Sequence, residues 1–407
     1  MHLFVAGTPR AGKTTFIKYL IEEENFSKFR GFYTEEIRRD SQRVGFKVKT
    51  LGGDEKVFAH KDFKTPHKVS HYNIKLKVFE EIAVNELKLA LASQARWIII
   101  DEIGKMELFS EKFKEAVGQA LEKKEVIAAI PLKYENEFLT KIKGLDDICL
   151  LELGKENFCD SLEKGRLFLK AKDTPSLRAL DAKAKTIGFS ETILIENASS
   201  NLCSVIESLN LGKNALVIAG RGNNGADVLS CARKLLSRGY KVDIAVVANK
   251  ELNQEVKFQL GVLEKIKSIY PPAQRIAGKP AGLHFIKDDK DILNFRKLLK
   301  NRDFILEGIL GTGMKGELRP FIKKIIQEIN KNKARVISCD IPSGLSPCHG
   351  QIGAAIKADY TITFIAPKKG FFKNRGLDFC GKIFNVDIGI SAEILEGLSR
   401  KNAFEKH

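Results

Sequence analysis

Residues Gly7-Thr8-Pro9-Arg10-Ala11-Gly12-Lys13-Thr14 satisfy the spacing G-x-x-x-x-G-K-[ST], between an apolar run, Leu3 to Ala6, and a helical stretch from Lys13 to about Glu23. Few short sequences constrain a fold so strongly, because the loop works only where a strand hands over to a helix. The chemistry explains the residue types. Backbone N–H groups of the loop and of the helix N-terminus wrap a β-phosphate, and Lys13 adds a cation toward the β/γ oxygens. The Thr14 hydroxyl suits Mg²⁺. Gly7 through Thr15 are therefore the expected nucleotide-binding residues. Downstream, Trp97-Ile-Ile-Ile-Asp101-Glu102 reads as a buried strand ending in two acids. Asp101 is the expected second Mg²⁺ ligand and Glu102 the expected general base.

At 407 residues, and at roughly 150 residues per domain, the chain has room for two or three domains. Hydrophobic residues at 43% and charged residues at 29% fit ordinary globular proteins and exclude disorder as a description of the whole. Runs Gly31–Arg39 and Arg43–Leu51, joined at Asp40-Ser41-Gln42, predict a hairpin. Leu76, Phe79, Ile82, Ala83, Leu87, Ala90 and Leu91 recur at helical spacing and predict one helix from Ile74 to Ala92. Trp97–Ile100 and Val126–Ile130 read as buried strands. Thr174-Pro175 opens a second unit, since proline is tolerated in a first turn. Helices are expected near Leu177–Ile187 and Leu194–Leu209, and strands at Ala215–Ala219, Val242–Val247, Phe304–Leu306, Val336–Cys339, Tyr360–Phe364 and Ile383–Ile388. The expected division is 1–170, a linker 171–176, a second domain 177–390 and a tail 391–407 with a short helix and a frayed end.

The stretches GTPRAGKTT, GFYTEEIR (31–38), RVGFKVKTL (43–51) and IIIDEIGKMELFS (98–110) resemble the cancer-related and thermophile nucleoside-triphosphatase family over about the first 160 residues. The last stretch is the most specific, continuing through Gly104-Lys-Met-Glu107 beyond what a phosphate loop requires. The resemblance implies a P-loop three-layer α/β/α fold and hydrolysis of ATP, GTP and other NTPs with loose base preference. It also implies nucleotide contacts from 98–105, so Asp101 and Lys105 join the site. Arg10 stands where that family usually has glycine.

A second glycine loop, Gly220-Arg-Gly222-Asn223-Asn224-Gly225-Ala226-Asp227, also follows a strand and opens a helix. Its G-x-G-x-x-G spacing recurs at Gly311-Thr312-Gly313-Met314-Lys315-Gly316, so the pattern alone is weak. Asp243 lies at the start of the next strand rather than its end, which argues against a redox dinucleotide domain. Ser338-Cys-Asp340-Ile-Pro-Ser343-Gly344 ends a strand in a carboxylate and a hydroxyl, where ligands of open α/β sheets bind. Asn223, Asn224, Asp227, Glu307 and Ser343 could make an oxygen-rich cage for a hard cation.

Arg178-Ala-Leu-Asp181, Leu194-Ile-Glu196-Asn197-Ala198, GRGNNGAD, GILGTG (308–313), DIPSG (340–344), ADYTITF (358–364), PKKG (367–370) and VDIGI (386–390) resemble the NAD(P)H-hydrate epimerase family, the YjeF N-terminal domain. The resemblance implies a Rossmann-like three-layer α/β/α fold, so the whole is α/β in two domains. It implies epimerisation of R- to S-hydrates of NADH and NADPH (NADHX and NADPHX), with a separate dehydratase acting on the product. It assigns substrate binding to Asn223, Asn224, Gly225, Ala226, Asp227, Gly311, Thr312, Gly313, Met314, Lys315, Gly316, Glu317 and Asp340. Potassium falls to Asn224, Glu307 and Ser343, and the family often forms homodimers. Asp340 is the first choice for the catalytic group and Asp227 the second; Lys368 is read either as a phosphate contact or as solvated. Ala226, Val228 and Glu307 depart from the family pattern, and Val228 would be strained at a position of positive φ. A second reading therefore stays open, in which this domain is a catalytically degenerate dinucleotide-binding module regulating the NTPase.

The net charge of +17 favours anionic partners, but no RNP-like or KH-like motif with interleaved aromatics supports nucleic acid. His60, His67 and His71 are irregularly spaced and form no zinc signature. Seven scattered cysteines without a C-x-x-C, no leader-like N-terminus and no window of ~20 apolar residues predict a cytoplasmic protein without a membrane span.

Overall fold

The apolar run before the first glycine loop is strand β1 (His2–Gly7), buried along its length. The computed structural model describes residues 1–269, 280–314 and 316–404, which fall into two units, Met1–Leu169 and Lys170–His407. The first is built on β1, β2 (Phe29–Arg39), β3 (Gln42–Thr50), β4 (Glu55–His60), β5 (Lys68–Val69), β6 (Tyr72–Ile74), β7 (Trp97–Asp101), β8 (Glu125–Pro131) and β9 (Ile148–Leu153). These form one sheet in the order β5-β6-β4-β3-β2-β7-β8-β1-β9. From β2 to β9 the strands are parallel, so strands and helices must alternate in the chain. The other half is antiparallel, begun by the expected hairpin with Asp40 and Ser41 both at positive φ in its turn. Phe4 and Ala6 enter one core while Leu3 and Val5 are buried on the opposite face, as a sheet covered on both sides requires.

The helix expected over 74–92 is interrupted. Ile74 pairs with Ala59 in the sheet, the helix begins at Leu76, and a π turn at Glu80–Val84 leads into Asn85–Ala92. The apolar period runs on through the turn, which is why the sequence shows one helix.

The second unit carries β10 (Asn214–Ala219), β11 (Lys241–Val247), β12 (Pro280–Ile286), β13 (Phe304–Gly308), β14 (Arg335–Cys339), β15 (Tyr360–Phe364) and β16 (Lys382–Val386). All are parallel, in the order β12-β11-β10-β13-β14-β15-β16. Ala215, Val217 and Ala219 of β10 face one core, Leu216 and Ile218 the other, so helices cover both faces here too. The winding reverses between β10 and β13, which opens a crevice at their carboxyl ends. Thr174-Pro175 does open a helix, Thr174–Thr186, capped by Asp173, whose carboxylate accepts from Ser176 N–H. The tail carries a helix, Ala392–Phe404; residues 405–407 lie outside the described residues. Among the described residues no helix is long and apolar enough to cross a membrane.

The helix Asn223–Ser237 packs directly against the end of β10. A Cβ on Gly225 would lie 2.1 Å from the Gly220 carbonyl oxygen, and one on Gly220 would lie 1.8 Å from that of Ile309. Both neighbours are backbone and cannot give way. Gly225→Ala is therefore expected to destabilise the second unit by about 1–3 kcal/mol, read as a lower denaturant midpoint at unchanged slope.

Candidate active sites

At the first glycine loop Gly12 takes φ 90° as it caps the helix Lys13–Glu22, a conformation glycine adopts without cost. Arg10 is also left-handed, at φ 68°, and is exposed. The Lys13 ammonium is buried, donates to the Gly7 carbonyl at 3.1 Å and lies 3.4 Å from Glu102 Oε1. The Thr14 hydroxyl hydrogen-bonds Asp101. The carboxylate oxygen Oδ2 of Asp101 is buried without a partner. Burial, reinforced by the Glu102 charge, holds the Asp101 carboxyl up at about 7 against the pull of Thr14 and Lys13. Burial and Glu102 likewise push Glu107 up to about 8, although its Oε2 accepts the Gly104 N–H at 3.0 Å.

A hydroxyl, an orphaned carboxylate oxygen and crowded acids short of positive charge suit a hard divalent cation. Among the described residues no group of three His, Cys, Asp or Glu forms a metal cage. Such an ion would therefore complete its shell with phosphate oxygens and water. Lys105 lies with its ammonium 4.7 Å from the Tyr134 ring centre. Phe158, which nothing in the sequence assigned to the loop, packs its ring edge-on to Phe16 and Tyr19 and sits against Gly12.

The Asp101 shift has a consequence for stability. Because its folded pKa is raised from 3.8 to about 7, the folded state holds that proton more tightly than the unfolded chain. Its contribution therefore worsens as pH rises from about 4 to about 7, by on the order of 4 kcal/mol at the limit. Asp101→Asn removes the charge and is expected to raise the metal-free melting temperature of the first unit at pH 8 by several degrees while abolishing hydrolysis. Thermal unfolding of the variant and the parent at pH 5 and pH 8 checks this, the gain shrinking at pH 5.

In the second unit a cavity of about 1090 Å³ opens at the carboxyl ends of the strands. Asn223, Asn224, Asp227, Gly311 through Met314, Glu317 and Asp340 line it. Gly225 and Ala226 are buried behind the loop, Gly316 does not line the cavity, and Lys315 lies outside the described residues. Val228 is a fully buried residue of the helix Asn223–Ser237 and is absent from the positive-φ positions, so the strain anticipated there does not arise.

Asp340 takes φ 63° just past β14. Its Oδ1 accepts from the Phe364 N–H at 3.2 Å and forms an ion pair with Lys368. Lys368 is 2% exposed and also donates to Thr363 Oγ1 at 2.7 Å. It is thus the buried counter-ion of Asp340, which corrects the expectation of a solvated lysine, and it also lines the cavity. Asp227 is raised well above the ordinary carboxyl value by burial and by the facing charges of Asp340, Glu191 and Asp181. Asp181, on the helix Thr174–Thr186, borders the cavity and is raised to about 6, by enclosure first and by Asp340 second. Sequence reasoning quoted Asp181 only as part of a motif. Nothing local in the sequence shows that its helix returns to the edge of β14.

Beneath the cavity Glu307 is fully buried. Its Oε1 accepts from the Ser338 hydroxyl at 2.5 Å and the Ser343 N–H at 3.0 Å. Its Oε2 accepts from the Ser343 hydroxyl at 2.6 Å and the Ile309 N–H at 3.2 Å. Burial raises its pKa, and among the described residues no cationic side chain pairs with it. Asn224 donates to the carbonyls of Leu310 and Cys339 at 2.8 and 2.9 Å, while its Oδ1 is buried with no partner. An orphaned amide oxygen beside an uncompensated carboxylate fits a monovalent cation. Four donors already occupy Glu307, so this carboxylate also ties together the ends of β13 and β14.

Comparison with known proteins separates the units in the same way. Residues 2–168 match the family described as NTPase, and residues 191–370 match the one described as YjeF-related protein N-terminus. The nucleoside-triphosphatase THEP1 of Thermotoga sp. (strain RQ2) is 41% identical over 157 residues, spanning 39% of this chain and 88% of the relative. The NAD(P)H-hydrate epimerase of Rhodopirellula baltica is 31% identical over 250 residues, spanning 60% of this chain and 94% of the relative. The bifunctional NAD(P)H-hydrate repair enzyme of Dictyoglomus turgidum is 34% identical over 217 residues, and the chain spans only 38% of it.

Proposed function

With residues 2–168 belonging to the THEP1-type nucleoside-triphosphatase family and the second unit to the YjeF N-terminal, NAD(P)H-hydrate epimerase family, we propose a bifunctional enzyme that hydrolyses nucleoside triphosphates at one site and interconverts R- and S-NAD(P)H hydrates at the other. The observation that carries the first half is the meeting of Lys13, Thr14 and Asp101 at the glycine loop, with Glu102 beside Lys13. The loop amides and Lys13 bind the β/γ phosphates, and Glu102 orients a water and takes its proton as it attacks the γ-phosphorus. Thr14 and Asp101 would hold Mg²⁺, which supplies positive charge against the phosphate oxygens.

For the second half the carrying observation is a pair of carboxyls in contrasting environments on one cavity. Burial and like charges raise the Asp227 carboxyl well above its ordinary value, and Asp340 has Lys368 as its partner. Such a pair divides acid and base roles. Asp227 gives its proton to the ring hydroxyl as the carbon–oxygen bond breaks and water forms, the ring nitrogen supplying the electron pair. Asp340 stabilises the resulting cation. Water then adds to the opposite face of that carbon and gives up the proton that restores Asp227, so the atoms balance and the hydrated ring is regenerated as the other epimer. Asn224, with Ser343 and Glu307 behind it, would hold potassium, whose charge would offset the buried Glu307. In the alternative reading the second unit binds a dinucleotide without catalysis; Glu307, locked by four donors, is the feature that favours it.

The test incubates the purified full chain with ATP and Mg²⁺, and separately with R-NADHX with and without potassium, following phosphate release and the S epimer by chromatography. Turnover in both, with the second stimulated by potassium, supports the proposal. Binding of NADHX without acceleration over the spontaneous rate supports the alternative.

A further inference from the structure

Arginines of the second unit divide sharply by partner. Arg233, Arg238, Arg296, Arg302, Arg335 and Arg375 each pair with a carboxylate. Among the described residues of that unit, Arg178, Arg221 and Arg319 form no ion pair, and all of them line the cavity. A guanidinium without an acid, facing a cavity, is a binding group for a planar or tetrahedral anion, and it binds phosphate in a fixed fork geometry.

Their placement in the sheet distinguishes them. Arg178 lies on the helix that carries Asp181. Arg221 belongs to the glycine loop after β10, over the switch point. Arg319 lies beside Asn249, donating to its Oδ1 at 3.3 Å, and Asn249 follows the end of β11. In sheets of this winding the end of the strand beside the glycine loop meets the adenosine ribose. An acid there reads the free ribose hydroxyls, and an arginine accommodates a 2′-phosphate. Here the chain after β11 reads Ala248-Asn249-Lys250, without an acid, and the next carboxylate, Glu251, pairs with Lys257 at 2.7 Å. The strand β11 stands three places from β14 in the sheet. That separates Asn249 from Asp340 by roughly 14 Å, a span suited to the two ends of an extended dinucleotide.

Beyond Asn249 and Arg319 a second hollow of about 570 Å³ shares both residues and adds Lys287 and Lys290 to its wall. Its acids are engaged elsewhere: Asp289 pairs with Lys324, and Asp288 caps its own turn.

We propose that Arg319, steadied by Asn249, binds a phosphate on the adenosine ribose, so that the cavity takes NADPH hydrate in preference to NADH hydrate, with Arg221 holding the diphosphate common to both. This rests on the epimerase reading for its substrates. The subsite itself is testable without turnover, using adenosine 2′,5′-bisphosphate and 5′-AMP as probes.

Calorimetric titration of the full chain is expected to show the bisphosphate binding at least tenfold tighter than 5′-AMP, with the difference lost in Arg319→Met. In epimerisation assays Arg319→Met is expected to raise KM for NADPHX about tenfold at unchanged kcat, with KM for NADHX changed less than twofold. Arg221→Met should raise both alike. Equal binding of the two probes by the parent chain, or an equal effect of Arg319→Met on both hydrates, overturns the subsite. A bisphosphate preference that depends on Arg319, without epimerisation of either hydrate, keeps the subsite and removes the epimerase reading. Epimerisation without such a preference removes the subsite alone.

Discussion

Replacing Lys13 by alanine is expected to lower NTP hydrolysis by at least a hundredfold and leave R-NADHX epimerisation unchanged. Lys13 is the buried cation of the loop, held between the Gly7 carbonyl and Glu102. In the proposed reaction its charge would face the negative charge that gathers as the terminal phosphoryl group transfers. Fixed donors of this sort are worth about 10²–10³ in rate when removed one at a time. The loss should appear in kcat more than in KM, since the loop amides still bind the phosphates. Glu102→Gln makes a useful companion: it keeps the shape and removes the base, so nucleotide binding should survive while turnover falls. The untouched epimerase is the second half of the prediction. A parallel loss there would mean that Lys13→Ala had unfolded the chain or that the two activities are coupled.

The second large effect is expected at Asp340. Asp340→Asn should reduce epimerisation by about 10²–10⁴, the range for loss of a positioned acid–base or charge-stabilising group. Potassium should not rescue it. The variant also leaves Lys368, which is 2% exposed, with an amide in place of its carboxylate. A buried ammonium without its counter-ion is costly, so thermal stability must be measured alongside. Asp227→Asn separates chemistry from stability, because Asp227, unlike Asp340 with Lys368, forms no ion pair among the described residues, so its replacement strands no cation. A comparable loss of rate in Asp227→Asn at unchanged melting temperature places the chemistry in the pair, whereas a loss confined to Asp340→Asn assigns Asp227 to binding. Both variants are checked by chromatographic separation of the epimers against the spontaneous rate.

Much of this was legible in the sequence because the strongest signals are local. A glycine-rich loop between an apolar run and a helix is specified by adjacent residues, so Gly12, Lys13 and Thr14 could be placed without coordinates. Strands buried on both faces show as apolar runs, and β7 and β10 were visible for that reason, while β15 showed through the β-branched and aromatic make-up of Tyr360–Phe364. Where polar and apolar character mix, the signal weakened: β4 and β12 contain lysine or histidine and were not anticipated. The π turn at Glu80–Val84 was hidden because it inserts only a single residue into an otherwise helical apolar pattern, too small a change for spacing alone to show.

At the sites, what escaped was long-range pairing. Lys368 and Asp340 are 28 residues apart and meet only because β14 and β15 are neighbours. Asp181 joins them from a helix that precedes the sheet. Phe158 reaches the first loop from the far end of its unit, at the start of the helix Phe158–Lys170. The strain expected at Val228 depended on a backbone conformation the sequence does not show, whereas Ala226 raised no such concern. In the structure both are ordinary helical positions.

The central claim is that the second unit is a working epimerase despite its altered loop and Glu307. The most direct measurement is the rate of R- to S-NADHX conversion by the purified full chain, with and without potassium, against the uncatalysed rate. The account predicts acceleration that potassium increases and Asp340→Asn removes. Conversion no faster than the uncatalysed rate, in a chain that still binds NADHX and still hydrolyses ATP, would contradict it.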